Sequence, residues 1–266
     1  MNAPTKEITG DRFRITTPVF QLPVMRGVID RRMLVNFRCD PKTLAHVVPA
    51  PFRPKVVDGF GLAGICLIRL KGLGPRWLPS PLGLGSENAA HRIAVEWDEA
   101  DQRREGVFIP RRDTASRLNE FAGGRLFPGV HHHARFQVWE SPNRFKIEMH
   151  SDDGETRVRV AARLAEGWPG GSVFRSIDEA SKFFQAGALG WSAGDEDARF
   201  DGLELRTFDW KMEPLIVERV ESSFFDNRDV FPPGSVTFDS AFVMRGIKHE
   251  WHGRGRMLCD GELCAV

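Results

Sequence analysis

The 266-residue chain contains no tyrosine, although it carries 20 phenylalanines and 7 tryptophans. No phenol can therefore serve as acid, base or oxyanion donor, and proton transfer falls to His, Asp, Glu, Lys or Cys. Cysteine is scarce, at four residues. Cys39 and Cys66 sit in apolar, strand-like stretches and read as small buried hydrophobes. Cys259 and Cys264 are spaced too widely for a C-x-x-C motif, and no disulfide framework is expected. Lysine is nearly as scarce: eight of the 37 basic residues, the other 29 being arginine. Arginine's planar fork suits carboxylates and stays charged at working pH, although coding bias explains the same ratio. Net charge is only +1, without the clustered basic footprint of a nucleic-acid binder. The longest apolar run, Gly59 to Leu70, is too short to span a membrane. The polar first residues carry no signal-peptide core. The expectation is a cytoplasmic protein with no nucleic-acid or membrane partner and no cofactor or metal, free to form a homo-oligomer.

Residues 1–23 read as a flexible arm and residues 24–266 as a single domain. Asp40-Pro41 caps a short helix over Lys42 to Val48, which Pro49, Pro51 and Pro54 end. Leu62 to Leu70 is an apolar strand covered on both faces. Gly72 to Gly85 holds four glycines and three prolines in fourteen residues, a loop of functional length. Asn88 to Trp97 and Val107 to Ile109 read as strands, and Thr114 to Gly123 as a helix stopped by glycine. Val130 to Trp139, Arg144 to His150 and Thr156 to Leu164 follow as strands, the last two with clear two-residue alternation. Ser176 to Glu179 is a capping box opening a helix to about Ala188. Three more strands are expected at Leu203 to Trp210, Leu215 to Val220 and Val236 to Met244. Many short strands with few helices predict an α+β, mainly β barrel.

At Gly124-Arg125-Leu126-Phe127-Pro128-Gly129 the pattern resembles the core of acetoacetate decarboxylase. Five further blocks resemble, in order, the YqjF-like branch of that superfamily, a domain of unknown function: Leu44 to Pro49, Asp58 to Gly61, Glu87 to Val95, Ser181 to Trp191 and Trp210 to Val220. The resemblance runs from about Gly27 to Glu250. It implies a cone-shaped β-barrel enclosing a small-molecule cavity. In the founding enzyme a lysine pair follows Phe-Pro and one lysine forms a Schiff base; here those positions are Gly129 and Val130, and an imine needs an amine.

The candidate site residues follow from position. Glu87 and Arg92 flank the start of one strand, where a glutamate lines the pocket in related enzymes; the pair either handles a proton and an anion or is a structural ion pair. Arg125 either points into the barrel or satisfies helix-end carbonyls. His131 and His133 share one strand face, opposite His132, and offer imidazoles near neutrality; a polar sheet face accounts for them equally. Zinc at His249, His252, Cys259 and Cys264 matches no known spacing. Lys146 is either a displaced imine-former or a solvated lysine. The function expected is a small-molecule pocket acting on a carbonyl or carboxylate compound by lyase-type acid–base chemistry. Glu87, His131 and His133 would move protons and Arg92 and Arg125 would hold the anion. The alternative is a non-catalytic binder of an apolar ligand.

Overall fold

The computed structural model describes residues 8–10, 13–16, 23–77, 83–99, 102–122, 128–194 and 199–259. The strands are β1 (Ile8–Gly10), β2 (Phe13–Thr16), β3 (Met25–Cys39), β4 (Arg53–Pro54), β5 (Val56–Val57), β6 (Phe60–Pro75), β7 (Leu84–Glu99), β8 (Gln102–Thr114), β9 (His132–Ser141), β10 (Arg144–Ser151), β11 (Arg157–Leu164), β12 (Leu189–Ala193), β13 (Arg199–Thr207), β14 (Glu213–Ser222) and β15 (Val236–Cys259). Three short helices interrupt them: α1 (Pro41–Val47), α2 (Arg117–Ala122) and α3 (Ile177–Ala186). Asp40 caps α1 by accepting from the Lys42 amide, and Ser176 caps α3 by accepting from the Glu179 amide, as the sequence predicts.

The strands form one sheet that closes on itself twice. A larger ring runs β7–β8–β9–β10–β11–β14–β15–β3–β6 and returns to β7. A smaller ring shares β15, β3, β6, β7 and β8 and closes through β12 and β13. The fork is possible because β8 and β15 each pair with two neighbours along their length. Residues 113–114 of β8 meet β9 while 107–109 meet β12. Residues 241–243 of β15 meet β14 while 249–258 meet β13.

The shared strands are therefore buried on both faces, which is why β6 reads as an unbroken apolar run. One face sends Met33, Val35, Ala63, Ile65, Leu67 and Ile93 into the larger ring, against Phe145, Ile147 and Met149 of β10 and Val158 and Val160 of β11. The other face carries Ile29, Leu34, Cys66, Ile68, Leu70, Phe242 and Ile247. It is covered by Val173 and Phe174 and by Ala180 and Phe184 of α3.

Several elements differ from expectation. The loop expected over Gly72 to Gly85 is shortened at both ends, because β6 runs on to Pro75 and β7 begins at Leu84. Within residues 1–23, β2 pairs with the end of β15 and Phe13 is buried. The helix expected from Thr114 begins only at Arg117, because β8 runs on through Thr114. β12 was not expected as a strand: Gly190 and a tryptophan leave it too short to show a period. Finally, β15 continues to Cys259 rather than stopping near Met244. Gly246 and Gly255 adopt positive φ along it, and such irregularities interrupt the alternation a strand needs to be recognised.

Candidate functional site

Two pairs of adjacent arginines set the chemistry of the two faces. On β3 these are Arg31 and Arg32; on β8 they are Arg111 and Arg112. The pleat sends successive side chains to opposite sides.

Arg31 and Arg111 face the larger ring, and both are paired with carboxylates, although Arg31 Nε has no partner. Arg31, only 2% exposed, donates to Glu87 at 2.5 Å and to Glu140 at 2.8 Å. Arg69 joins the same two carboxylates and Asp30, and Lys71 also reaches Asp30. Three cations thus meet three anions around Glu87. Arg111 donates to Asp113 (2.9 Å), Asp153 (2.6 Å) and Glu155 (2.8 Å). This second network opens on a cleft of about 590 Å³ lined by Arg111, His132, Thr156, Ser223, Phe224 and Asn227, among others. His132 Nδ1 pairs with Asp153 at 3.1 Å.

Arg32 and Arg112 face the other way and are joined there by Arg92. Among the described residues none of the three forms an ion pair. Arg32 Nε donates to Cys66 Sγ at 3.4 Å, Nη1 is buried without a partner, and the guanidinium lies over Trp210. Arg92, 8% exposed, donates from Nη2 to Asn36 Oδ1 at 2.6 Å, stacks on Phe184 at 4.9 Å and leaves Nε unsatisfied. Arg112 Nε donates to Ser192 Oγ at 2.8 Å. Burial lowers both the Arg92 and Arg112 guanidiniums to about 10. The sheet register gathers the three around Cys66. Cys66 lies opposite Leu34 on one side and Ala90 on the other, and Ala90 lies opposite Arg112. Gly64, the next residue on this face of β6, lies opposite both Asn36 and Arg92. A Cβ at Gly64 would stand 2.5 Å from the Val35 carbonyl, so glycine is required for the strands to approach here.

Two small cavities lie on this face. One, of about 40 Å³, is lined by Ile68, Leu70, Leu73, Asn88, Ala90, Arg112, His131 and Trp251, with Ala89 and Asp113 completing it. It accommodates roughly three waters at about 10–15 Å³ each. The other, about 10 Å³, lies between Arg92, Asn36, Leu62, Ala63, Ala94, Phe183 and Phe184. His131 Nδ1 donates to the Gly129 carbonyl at 2.9 Å. Burial first, and Arg112 second, push its imidazole down to about 3. His249, 1% exposed, packs on Trp251 and against the backbone of Gly27 and Ile247. Burial and Arg32 push it down to about 4.

Gly129 stands at the edge of this chamber with φ +80°. A Cβ there would lie 2.4 Å from Ser192 Cβ and 3.5 Å from Arg112 Nε. The position equivalent to the decarboxylase lysine therefore lacks room for any side chain. None of the three cavities described is lined by lysine. Lys146 lies on the outer face of β10, 55% exposed, beside Glu148 and over Trp139.

The expected site residues are distributed as follows. Arg92 and His131 both reach the arginine-lined face. Glu87, five residues from Arg92, points to the opposite face. His133 pairs with Asp152 at 2.7 Å beside Arg135 and shares no partner with His131. Arg125 lies outside the described residues. Arg32, Arg112 and Asn88 were missed, and His249 was weighed only as a zinc ligand. The doublets Arg31-Arg32 and Arg111-Arg112 were a visible signal, since a pleated strand must divide such a pair. His249 was hidden by the unrecognised half of β15. Among the described residues no group of three or more His, Cys, Asp or Glu is placed to hold a metal ion, and no helix is long and apolar enough to cross a membrane.

A mainly β sheet closed around a small internal chamber defines the acetoacetate decarboxylase-like class. Residues 29–237 match the family model DUF2071, described as an uncharacterized conserved protein, and the chain belongs to that family. Its fold is similar to the acetoacetate decarboxylase of Legionella pneumophila subsp. pneumophila str. Philadelphia 1, with TM-score 0.60, 9% identity and coverage of 90% of this chain and 89% of that one. An acetoacetate decarboxylase-like enzyme from Sphingomonas wittichii RW1 matches with TM-score 0.54 and 13% identity over 88% and 92% of the two chains. The enduracididine biosynthesis enzyme MppR, complexed with pyruvate, matches with TM-score 0.55 and 11% identity over 90% and 91%. No curated protein matches by sequence. The comparisons thus show the family and a mainly β, acetoacetate decarboxylase-like fold, and the likeness to the solved structures extends to the fold alone.

Proposed function

We propose that this protein binds a small carboxylate-bearing compound in the Arg112–His131 chamber and processes it by lyase-type proton transfer without an imine. The observation that carries the reading is a set of three arginines, Arg92 buried and Arg32 and Arg112 half-buried, with no carboxylate partner among the described residues, on a face where two cavities open. A buried cation left uncompensated is costly, and a ligand carboxylate would offset that cost through a charge-assisted hydrogen bond. Arg112 holds the carboxylate, and Ile68, Leu70, Leu73 and Trp251 exclude water. His131 is the proton carrier. In the empty chamber burial and Arg112 keep it neutral; a carboxylate on Arg112 offsets that repulsion and makes the imidazole more basic when substrate is present. Glu87 and His133 belong, in this reading, to structural ion pairs. A pyruvate complex of MppR supports a ligand of this size.

The apolar lining also favours a second reading, binding without turnover. Hydrogen–deuterium exchange at the methyl group (C3) of pyruvate, followed by NMR, separates the two. Catalysis predicts exchange that His131→Gln abolishes while binding persists; no exchange by the wild type would leave binding alone. Borohydride trapping with pyruvate should leave every lysine unmodified, and a stable adduct on any lysine would overturn the non-imine mechanism.

A further inference from the structure

The arginine-lined face carries more positive charge than one carboxylate can balance. Arg112 borders one cavity, with His131 and Asn88 beside it and Asp113, whose carboxylate is bound by Arg111, completing the lining. Arg92 borders the other, with Asn36 beside it, and Arg32 stands on the same face, bonded to Cys66. Only short side chains separate the cavities on the sheet side: Ala90, Cys66 and Gly64 occupy the register positions between Arg112 and Arg92. Arg92 is directed by Asn36 Oδ1 through Nη2 alone, and its buried Nε has no partner. The equivalent arginines on the opposite face, Arg31 and Arg111, each hold at least two carboxylates. Diagonal neighbours on adjacent strands stand about 7–8 Å apart at their Cα atoms, so two guanidiniums there can grip the two ends of one short molecule.

We propose that the ligand is a short dicarboxylate, one carboxylate held by Arg112 and the second by Arg92 with Arg32. This rests on the carboxylate-binding reading above and adds the second anionic group. Phe184, stacked on Arg92, and α3 behind it would form the wall that meets the second carboxylate.

Isothermal titration calorimetry of the full chain with acetate, malonate, succinate, glutarate and inorganic phosphate, at constant ionic strength, tests it. The expected result is at least one dicarboxylate binding about tenfold or more tighter than acetate. In Arg92→Met that advantage should vanish, and in Arg92→Lys, which keeps the charge, a part of it should return. If every dicarboxylate binds no tighter than acetate, the two-anion proposal is wrong while the carboxylate site stands. If neither acetate nor any dicarboxylate binds, the reading of the site itself falls. Phosphate binding as tightly as the best dicarboxylate would also overturn the proposal, since a single compact dianion would then suffice. The wild-type series decides these outcomes even if Arg92→Met does not fold.

Discussion

Arg31 and Arg32 are neighbours in sequence, as are Arg111 and Arg112, yet each pair is divided between two different electrostatic worlds. Toward the larger ring, Arg31 and Arg111 sit in closed networks in which carboxylates occupy the guanidinium edges. Across the sheet, Arg32 and Arg112 with Arg92 meet a thiol, a hydroxyl, an amide and aromatic rings, and no carboxylate among the described residues. Strand geometry is the same on both sides, although Arg31 and Arg111 are buried and Arg32 and Arg112 half-buried; the sharper difference is whether the protein supplies the counter-charge. Where it does, the arginine closes the barrel. Where it does not, the guanidinium is left open to the anion proposed above.

The largest expected effect is on pH dependence. His131 and His249 are held down beside the unpaired arginines, and His91, fully buried near Arg111, is held down to about 3, by burial before charge. All three have folded values depressed below the ordinary 6.5. The stability they confer is complete above that value and is lost as pH falls toward 3 to 4. Each contributes a slope of about 1.4 kcal/mol per pH unit in that window. Urea denaturation between pH 7.5 and 4.5 should show this loss, and a bound carboxylate should flatten the part due to His131 and His249. A flat profile would remove the claim that these imidazoles are kept neutral.

Arg31→Met comes next. It leaves Glu87 and Glu140 short of a partner and should cost about 3–5 kcal/mol in denaturant unfolding. Gly129→Lys should cost about 2–4 kcal/mol, from positive φ and the contact with Ser192, and should give no borohydride adduct with pyruvate. Wild-type stability in that variant would mean the backbone there tolerates a side chain. The smallest change is expected for Arg112→Met without ligand: within about 1 kcal/mol, because no carboxylate is abandoned and an uncompensated cation is removed. A loss matching that of Arg31→Met would erase the distinction between the two faces.

The fold was largely legible because β6, β10 and β11 carry strong patterns and Asp40 and Ser176 mark helix starts. The site was legible only in part. Arg92 and His131 could be placed near a pocket by resemblance. Their separation from Glu87 and His133 depends on register and pleat, which are settled by long-range pairing. His249 and Trp251 were lost with the second half of β15, where bulged glycines break the period. That Arg32, Arg92 and Arg112 form no ion pair among the described residues is a tertiary property, invisible in a chain with 36 acidic residues.

The most direct test is a high-resolution crystal structure of the protein grown with malonate. A carboxylate of malonate bound to the Arg112 guanidinium within the Ile68–Trp251 chamber, with Arg31 and Arg111 still on their own acids, is the expected result. A chamber holding only water, or an aspartate or glutamate of the chain already seated on Arg112, would contradict the account.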